Sequence, residues 1–268
     1  MITYTSRWMT RGEVWFDHEP GSGDLDFILY NQRTKPLPHT RSKEFYTLVL
    51  DLRSSPQELL AQMDKTTTYK IKRARERDKI ICESCDTSDP SVLRDFADYY
   101  DPFAKQRGWS LMDRHWLTRT AEAGALDLTR AKSPDGEILV YHTLIRTKTR
   151  VRGLHSPSFF RDNSDSATRS YVGRANRFLH WHSMMRFKEE GVSIYDFGGW
   201  YMGKTDESRL RINDFKRGFG GEIICNYNCE QILTLKGRLL LTVARSLRRA
   251  AARSNGSLPA NENVGDQN

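Results

Sequence analysis

The chain has 268 residues, 38% of them apolar and 11% aromatic, which is enough for one large domain or two small ones with a hydrophobic core. No apolar run approaches the roughly 20 residues that span a bilayer, and residues 1–10 lack the apolar centre of a secretory signal. These features exclude a membrane-spanning class and predict a cytoplasmic protein. The formal net charge of +8 favours a polyanionic partner such as RNA, an anionic membrane or a phosphorylated substrate.

Residues 1–88 are predicted to form an abbreviated N-terminal subdomain of strands and two helices. Ser55 and Glu58 form a capping box that begins the first helix, with Pro56 at its first position. Residues 65–79 form a second helix, which is rich in Lys and Arg. The strand-like runs of this part are residues 13–16, 26–30, 45–52 and 80–82.

Residues 89–234 are predicted to form the main domain, an α/β (α+β) unit. Two helices come first, and a long helix follows the first three strands, over about residues 168–190. The predicted strands are residues 126–132, 138–146, 151–156, 194–197 and 222–227, with a short helix or turn at 214–218. Three antiparallel strands, a crossover helix and a parallel strand indicate one mixed sheet with helices on both faces. The right-handed crossover rule then predicts that strand 194–197 lies parallel to strand 151–156.

Three motifs of the main domain can carry chemistry, and the first lies at the expected start of the long helix. Ser170, Gly173 and Ala175 follow Arg169 there. Small residues at a helix start let backbone N–H groups approach an anion at the positive end of the helix dipole. The alternative is a helix start whose Gly and Ala serve packing alone.

The second motif is the strand end Tyr195–Asp196–Phe197–Gly198–Gly199. Glycines at a strand end let a ligand or another chain approach the backbone. Asp196 could orient an amine or accept a proton. The alternative is a tight turn that the Asp side chain caps.

The third motif is the segment FKRGFGG at residues 215–221. Lys216 lies beside Phe215, close to Phe219 and three glycines, and a cation fixed in this way suits stabilisation of a developing oxyanion. The alternative is a basic surface turn with aromatic anchors.

Four cysteines form two close pairs, Cys82 with Cys85 and Cys225 with Cys229. Two such pairs could hold zinc. The pairs lie in or beside strand-like stretches without the Gly turns of a zinc knuckle, and this placement favours reduced cysteines of a cytosolic protein over a metal site.

The ordered pair YDFGG (195–199) and FKRGFGG (215–221) resembles the C-terminal part of the FemABX peptidyltransferases, which belong to the GNAT acyltransferase superfamily. Residues 49–74 are similar to the family's IDL … LL … IRRA segment, and residues 173–181 resemble single-chain BioF2-like relatives. The resemblance covers about residues 45–227. It implies a GNAT-like mixed sheet and the transfer of an acyl or aminoacyl group to an amine, in cell-envelope, polysaccharide or peptide biosynthesis.

The resemblance also implies roles for the motif residues. Lys216 and Asp196 would be catalytic, and the donor would contact Phe215, Arg169, Ser170, Gly173 and Ala175. Arg169 would stand one place away from the Gln or Arg that begins the coenzyme A loop of typical GNAT enzymes. The amine-bearing acceptor would contact Tyr195, Gly198 and Gly199.

No permanently bound cofactor is expected, and the donor cosubstrate would be aminoacyl-tRNA or acyl-coenzyme A. The FKRGF motif and the charge of +8 favour tRNA as a partner. The short chain and the loop around Gly173 favour coenzyme A or an acyl carrier protein. Both donors stay open at this point.

A catalytically silent module that binds RNA or other nucleic acids is the alternative function. The basic stretches 65–79 and 235–253 support it, whereas glycine-rich strand ends are unnecessary for a face that binds phosphates.

Residues 235–268 are predicted to form a basic amphipathic helix and a disordered tail. Apolar residues recur at every fourth position of this helix, at Leu235, Leu239, Val243 and Leu247. The helix could dock on the domain, lie on an anionic membrane surface or follow the phosphates of tRNA.

Overall fold

The computed structural model describes residues 1–6, 8–159 and 165–254. Contacts along the chain divide them into two compact units, which are Met1–Tyr46 with the described residues from Cys225 onward, and Thr47–Ile224. The predicted disordered tail beyond residue 254 lies outside the described residues. The predicted domain boundaries after residues 88 and 234 stay predictions.

The first unit is built from strands β1 (Ile2–Ser6), β2 (Met9–Trp15), β3 (Phe27–Arg33) and most of β10 (Glu222–Ile232), with helix α7 (Leu235–Ser254). The strands are neighbours in the order β1-β2-β3-β10. The β2–β3 pair is parallel, and the β1–β2 and β3–β10 pairs are antiparallel. Its core packs around Val14, Ile28, Tyr30 and Cys229.

The second unit contains six strands in the order β4-β9-β8-β7-β6-β5. The strands are β4 (Arg41–Asp51, from residue 47 onward), β5 (Ile81–Cys85), β6 (Leu126–Lys132), β7 (Ile138–Arg146), β8 (Arg150–His155) and β9 (Ile194–Gly199). The helices are α1 (Pro56–Gln62), α2 (Lys65–Glu76), α3 (Pro90–Gln106), α4 (Arg114–Glu122), α5 (Ser166–Glu189) and α6 (Glu207–Arg217).

The pairing inside this unit agrees with the sequence prediction. β6, β7 and β8 are successive antiparallel neighbours, and β8 pairs in parallel with β9. β10 begins at the predicted residue 222, runs on to Ile232 and pairs antiparallel with β3 of the first unit.

Helices cover both faces of the second unit's sheet, as predicted. Leu128 of β6 and Tyr141 of β7 pack with α3 and α4. Ala131 and Val140, on the opposite faces of the same strands, pack with α2 and α5. Successive side chains of a strand point to opposite faces, so both faces must be apolar here.

Two helix boundaries differ from the sequence prediction. Asp165 caps α5, and its carboxylate accepts hydrogen bonds from the N–H groups of Ala167 and Thr168. The helix begins at Ser166, two residues before the predicted start near residue 168, so Ser170 lies in its second turn. Gly173 and Ala175 lie in the helix interior, where backbone N–H groups bond within the helix.

Helix α6 is longer than the predicted turn at 214–218. Asp206 caps it through a hydrogen bond from the N–H of Arg209, and it runs over eleven residues. Lys216 consequently lies on a helix, and the glycines that follow it form the exit turn. The many charged residues of this segment hide its helical period in the sequence.

The cysteines lie on strands, with Cys82 and Cys85 on β5 and Cys225 and Cys229 on β10. The described residues include no group of three or more His, Cys, Asp or Glu side chains placed to hold a metal ion. In the same part of the chain, no helix is both long and apolar enough to cross a bilayer.

Helix α7 turns its sequence-predicted apolar stripe outward. Leu235, Leu239 and Val243 are 76%, 69% and 57% exposed. Gly237 is buried instead, and a Cβ atom placed on it would lie 2.6 Å from the carbonyl oxygen of Asp26. The helix therefore docks on the first unit through Gly237, and its membrane and tRNA roles stay predictions.

We predict that substitutions on the two faces of α7 differ in their effect on stability. Gly237→Leu should lower the free energy of unfolding by about 1–3 kcal/mol, because the new side chain collides with the backbone at Asp26. The double variant Leu239→Gln/Val243→Gln should stay within about 0.5 kcal/mol of the wild type, because both side chains are exposed. Urea denaturation measures both, and a destabilised double variant beside an unaffected Gly237→Leu would contradict this docking face.

Candidate active site

Asp196 lies at the centre of a buried polar cluster that joins three adjacent strands. Its carboxylate accepts hydrogen bonds from Arg150 of β8, through Nε at 3.1 Å and Nη2 at 2.5 Å, and from Thr47 of β4. The N–H of Gly198 donates to it at 2.7 Å. Burial alone would raise the pKa of Asp196, but the charges of Arg150 and Arg152 and these hydrogen bonds lower it below its usual value. Asp196 is therefore ionised and engaged within the sheet.

A cavity of about 770 Å³ lies at the ends of the parallel strands β8 and β9. The parallel register joins Arg150–Arg152 to Ile194–Asp196. Gly153 and Phe197 come directly after these paired residues, His155 ends β8, and all three line the cavity. Ligands of open α/β sheets bind outside the carboxyl ends of parallel strands, so the cavity occupies the position expected of a substrate site.

One face of each of two helices supplies much of the cavity wall. The residues of α5 are Val172, Gly173, Asn176, Arg177 and His180. The residues of α6 are Ser208, Arg211, Ile212, Phe215 and Lys216. In both sets the members are one, three or four residues apart, which is the spacing of a single helix face.

Lys216 connects two of the predicted motifs. Its side chain is only 4% exposed, and its Nζ donates to the carbonyl oxygen of Gly199 at 2.6 Å. Gly199 is the last residue of β9. The helix that carries FKRGF is thereby tied to the strand end that carries YDFGG, and the ammonium group lies in the cavity wall.

Two neighbouring histidines line the cavity together with Lys216. The ring centroids of His142 and His180 are 4.1 Å apart, and the ring planes are tilted by 39°. His142 Nε2 lies 2.7 Å from the side-chain oxygen of Asn176, and His180 Nδ1 lies 2.8 Å from the hydroxyl oxygen of Tyr195. These contacts fix both rings against the strand face of the cavity.

Both rings are neutral at pH 7. Burial lowers the pKa of His142 to about 4. Burial lowers the pKa of His180 well below its usual value, and the charges of Lys216 and Arg177 lower it further. Each ring therefore keeps one nitrogen without a proton, which can accept a hydrogen bond.

A β-bulge places a third histidine in the cavity. Leu144 pairs with Gly153, and Thr143 pairs with His155, so one step on β7 corresponds to two residues on β8. The extra residue turns His155 towards α3, where its ring lies 5.0 Å from that of Tyr100. Burial, with a smaller contribution from Arg152, lowers the pKa of His155 to about 4.

The structure brings together some of the predicted site residues and separates others. Lys216, Phe215, Tyr195 and Gly173 line the cavity, and Gly199 bonds to Lys216. Asp196, Gly198, Arg169, Ser170 and Ala175 do not line it. Their predicted roles stay predictions.

Two of these placements have a clear physical reason. Asp196 points to the face of β9 opposite Tyr195 and Phe197, because strand side chains alternate. Ala175 is fully buried in the core against Val140. The partners of Asp196 favour a structural role, and the burial of Ala175 favours a packing role.

Sequence reasoning missed Arg177 and the three histidines. His142 lies inside a strongly apolar strand, where its pattern indicates core rather than site. Asn176 and His180 are four residues apart on α5, as are Gly173 and Arg177. That spacing was the one available signal of a polar face on this helix.

No family model matches this sequence, and no curated protein matches it. Solved structures do match. FemX superposes with a TM-score of 0.55 at 16% identity, over 74% of this chain and 63% of the FemX chain. This chain thus spans less than two thirds of FemX.

Two further structures match over more of their own length. The C-terminal domain of a candidate lysylphosphatidylglycerol synthetase from Agrobacterium fabrum has a TM-score of 0.51 at 16% identity, over 82% of this chain and 72% of that one. L-PGS from Bacillus licheniformis has a TM-score of 0.51 at 12% identity, over 83% and 73%. The chain therefore has the FemABX/GNAT-like fold that its motifs predicted.

We predict that Asp196→Asn destabilises the fold. The substitution leaves Arg150, which is 6% exposed, as a buried charge without its counter-ion, at a cost of about 3–5 kcal/mol. Asp51→Asn on β4 is the matched control, because its ion pair with Arg53 is exposed and should cost less than about 1 kcal/mol. Urea denaturation distinguishes a structural role of Asp196 from a role as catalytic base. An Asp196→Asn protein with wild-type stability and no activity would support the base role instead.

Proposed function

We propose that this chain is an N-acyltransferase whose reaction takes place in the cavity at the ends of β8 and β9. The amine of an acceptor attacks the carbonyl carbon of an activated ester or thioester. The new N–C bond forms as the C–O or C–S bond breaks, and no covalent enzyme intermediate is needed. The observation that carries the proposal is Lys216, a nearly buried cation held in the cavity wall by Gly199.

Lys216 supplies the electrostatic part of this mechanism. Attack on the carbonyl places a negative charge on its oxygen, and a preorganised cation in a site of low dielectric stabilises that charge most. The hydrogen bond to Gly199 fixes Nζ before the substrate arrives, so little reorganisation is required. Binding both substrates in one cavity supplies the rest of the rate through positioning.

The proton that the amine loses needs an acceptor. Among the described residues that line the cavity there is no carboxylate, whereas His142, His155 and His180 are neutral imidazoles there. We propose that the proton passes to the departing oxygen or sulfur of the donor, in place of the base expected from sequence, Asp196, because burial lowers the pKa values of the three rings and makes them weak bases.

The acyl donor is aminoacyl-tRNA or acyl-coenzyme A in this proposal. Exposed cations on α2 support a large polyanionic donor, and they are Lys65, Lys72 and Arg75. The likeness to FemX and to L-PGS lies in the fold and does not separate the two donors. Mass spectrometry of N-acylated products from a panel of acyl-coenzyme A and aminoacyl-tRNA donors, each with amine acceptors, would identify the donor.

The alternative of a silent nucleic-acid-binding module has one supporting observation, the exposed basic face of α2. A phosphate-binding face does not need a cavity lined by a nearly buried lysine and three neutral histidines. Tight RNA binding that falls with salt, without acyl transfer from any donor in the panel, would favour this alternative.

We predict that Lys216→Ala lowers turnover by about 10²–10³-fold, the effect of one lost oxyanion donor. Lys216→Met keeps the length of the side chain without its charge and should lose as much, which separates charge from packing. Lys65→Ala removes an exposed cation from α2 and is the control for net charge. Wild-type turnover by folded Lys216→Met protein, with a donor and amine that the wild type accepts, would remove Lys216 from the mechanism.

A further inference from the structure

The charge of the cavity limits which substrates fit it. Three arginines and one lysine line the cavity, and none of the described lining residues is Asp or Glu. The cations are Arg107, Arg177, Arg211 and Lys216. The three lining histidines add no charge of either sign at pH 7, because burial lowers their pKa values. The described wall of the cavity is therefore cationic.

Arg177 is the cation best placed to meet a substrate. Its guanidinium lies 4.5 Å from the ring centroid of Phe215, and Nη1 donates to the carbonyl oxygen of Gly173 at 3.2 Å. Nε is buried and has no hydrogen-bond partner among the described residues. The Phe215 ring and the Gly173 carbonyl fix the plane of the guanidinium, and a planar fork that is fixed in advance suits an oxyanion.

Asp64 is the acidic residue whose charge acts on Arg177, but it does not neutralise the guanidinium. Burial lowers the pKa of Arg177, and the charge of Asp64 raises it. Asp64 is itself the N-cap of α2, where its carboxylate accepts the N–H of Thr67 at 2.5 Å. The carboxylate is thereby held on a backbone group, and it does not line the cavity.

We infer that the cavity binds a substrate that carries a fixed negative charge, a carboxylate or a phosphate, next to an apolar part, with Arg177 as the partner of the anion. The apolar part would contact the aromatic wall formed by Phe103, Trp109 and Phe215. A substrate group with a free ammonium is disfavoured, because it would meet four cations and no described carboxylate. This inference rests on the proposed function, and it favours an anionic acyl group or acceptor over an aminoacyl group with a free α-ammonium.

Three probes of similar size and different charge test the inference. They are 3-phenylpropionate, 3-phenylpropionamide and 3-phenylpropylamine, with propyl phosphate and phenyl phosphate as the phosphate arm. Their dissociation constants are measured at pH 7 by ligand-observed NMR on the wild type, Arg177→Gln, Arg177→Lys and Arg211→Gln. Arg211 is the matched control, since it also lines the cavity but its side chain is 67% exposed beside Glu207.

The wild type should bind an anionic probe about 10–100-fold more tightly than the amide, the range of a hydrogen bond to a charged group. The amine should bind more weakly than the amide. Arg177→Gln should remove the preference for the anion while leaving amide binding unchanged, and Arg177→Lys should keep part of it. Arg211→Gln should change the preference by less than about threefold, because an exposed charge is screened. The carboxylate and phosphate probes show which oxyanion is preferred.

Amine binding as tight as anion binding, or an anion preference that survives in Arg177→Gln, would overturn the inference. Because the readout is binding, its failure is distinct from failure of the proposed function. Acyl transfer without a charge preference would contradict only the anion site. An anion preference without acyl transfer from any donor would support the anion site and contradict the proposed function.

Discussion

The parallel pairing of β8 with β9 is the constraint on which the candidate site depends, and a buried ion pair secures it. Arg150 of β8 and Asp196 of β9 meet with both groups nearly inaccessible to solvent, and Thr47 adds a hydrogen bond from β4. A buried pair of this kind is costly to break, because the remaining charge has no counter-ion. The pair therefore holds the strand register directly before the two strand ends that line the cavity.

The position of Lys216 follows from that register. Gly198 has a positive φ of 75°, a conformation that glycine adopts without strain, and its N–H bonds to Asp196. The turn of the backbone presents the Gly199 carbonyl to Lys216 on α6. A fully buried structural carboxylate thus orients the end of β9, and the end of β9 orients the cation.

The sequence was informative wherever apolar residues recur at the spacing of a strand or a helix. The order and direction of β6, β7, β8 and β9 were predictable, because each strand is bounded by turn residues and the long helix supplies the crossover. Helix α6 was not predictable in full, because charged residues such as Arg211 and Glu207, which form an ion pair, interrupt the apolar periodicity that indicates a helix. For the same reason Lys216 was predicted in a short helix or turn over residues 214–218, and it lies in the last turn of an eleven-residue helix.

The site was predictable only in part. The motifs at 195–199 and 215–221 indicated residues that the fold does bring together, through Gly199 and Lys216. They could not show on which side of β9 Asp196 lies, because the strand is buried on both faces and its alternation carries no polarity signal. His142 was hidden for a similar reason, because a single polar residue inside an apolar strand is typical of the core.

The central claim is that the cavity at the ends of β8 and β9 is where acyl transfer occurs, and Gly153 offers the most direct test. A Cβ atom on Gly153 would make only ordinary contacts, at 3.8 Å and 3.9 Å from the carbonyl oxygens of Asp196 and Phe197. Gly153→Leu should therefore fold and fill part of the cavity. The measurement is its turnover, with a donor and amine that the wild type accepts, beside that of Gly23→Leu, a glycine with open space around it. The account predicts a loss of at least about 10²-fold for Gly153→Leu alone, since small displacements of bound substrates cost rate steeply. Wild-type turnover by folded Gly153→Leu protein would contradict it.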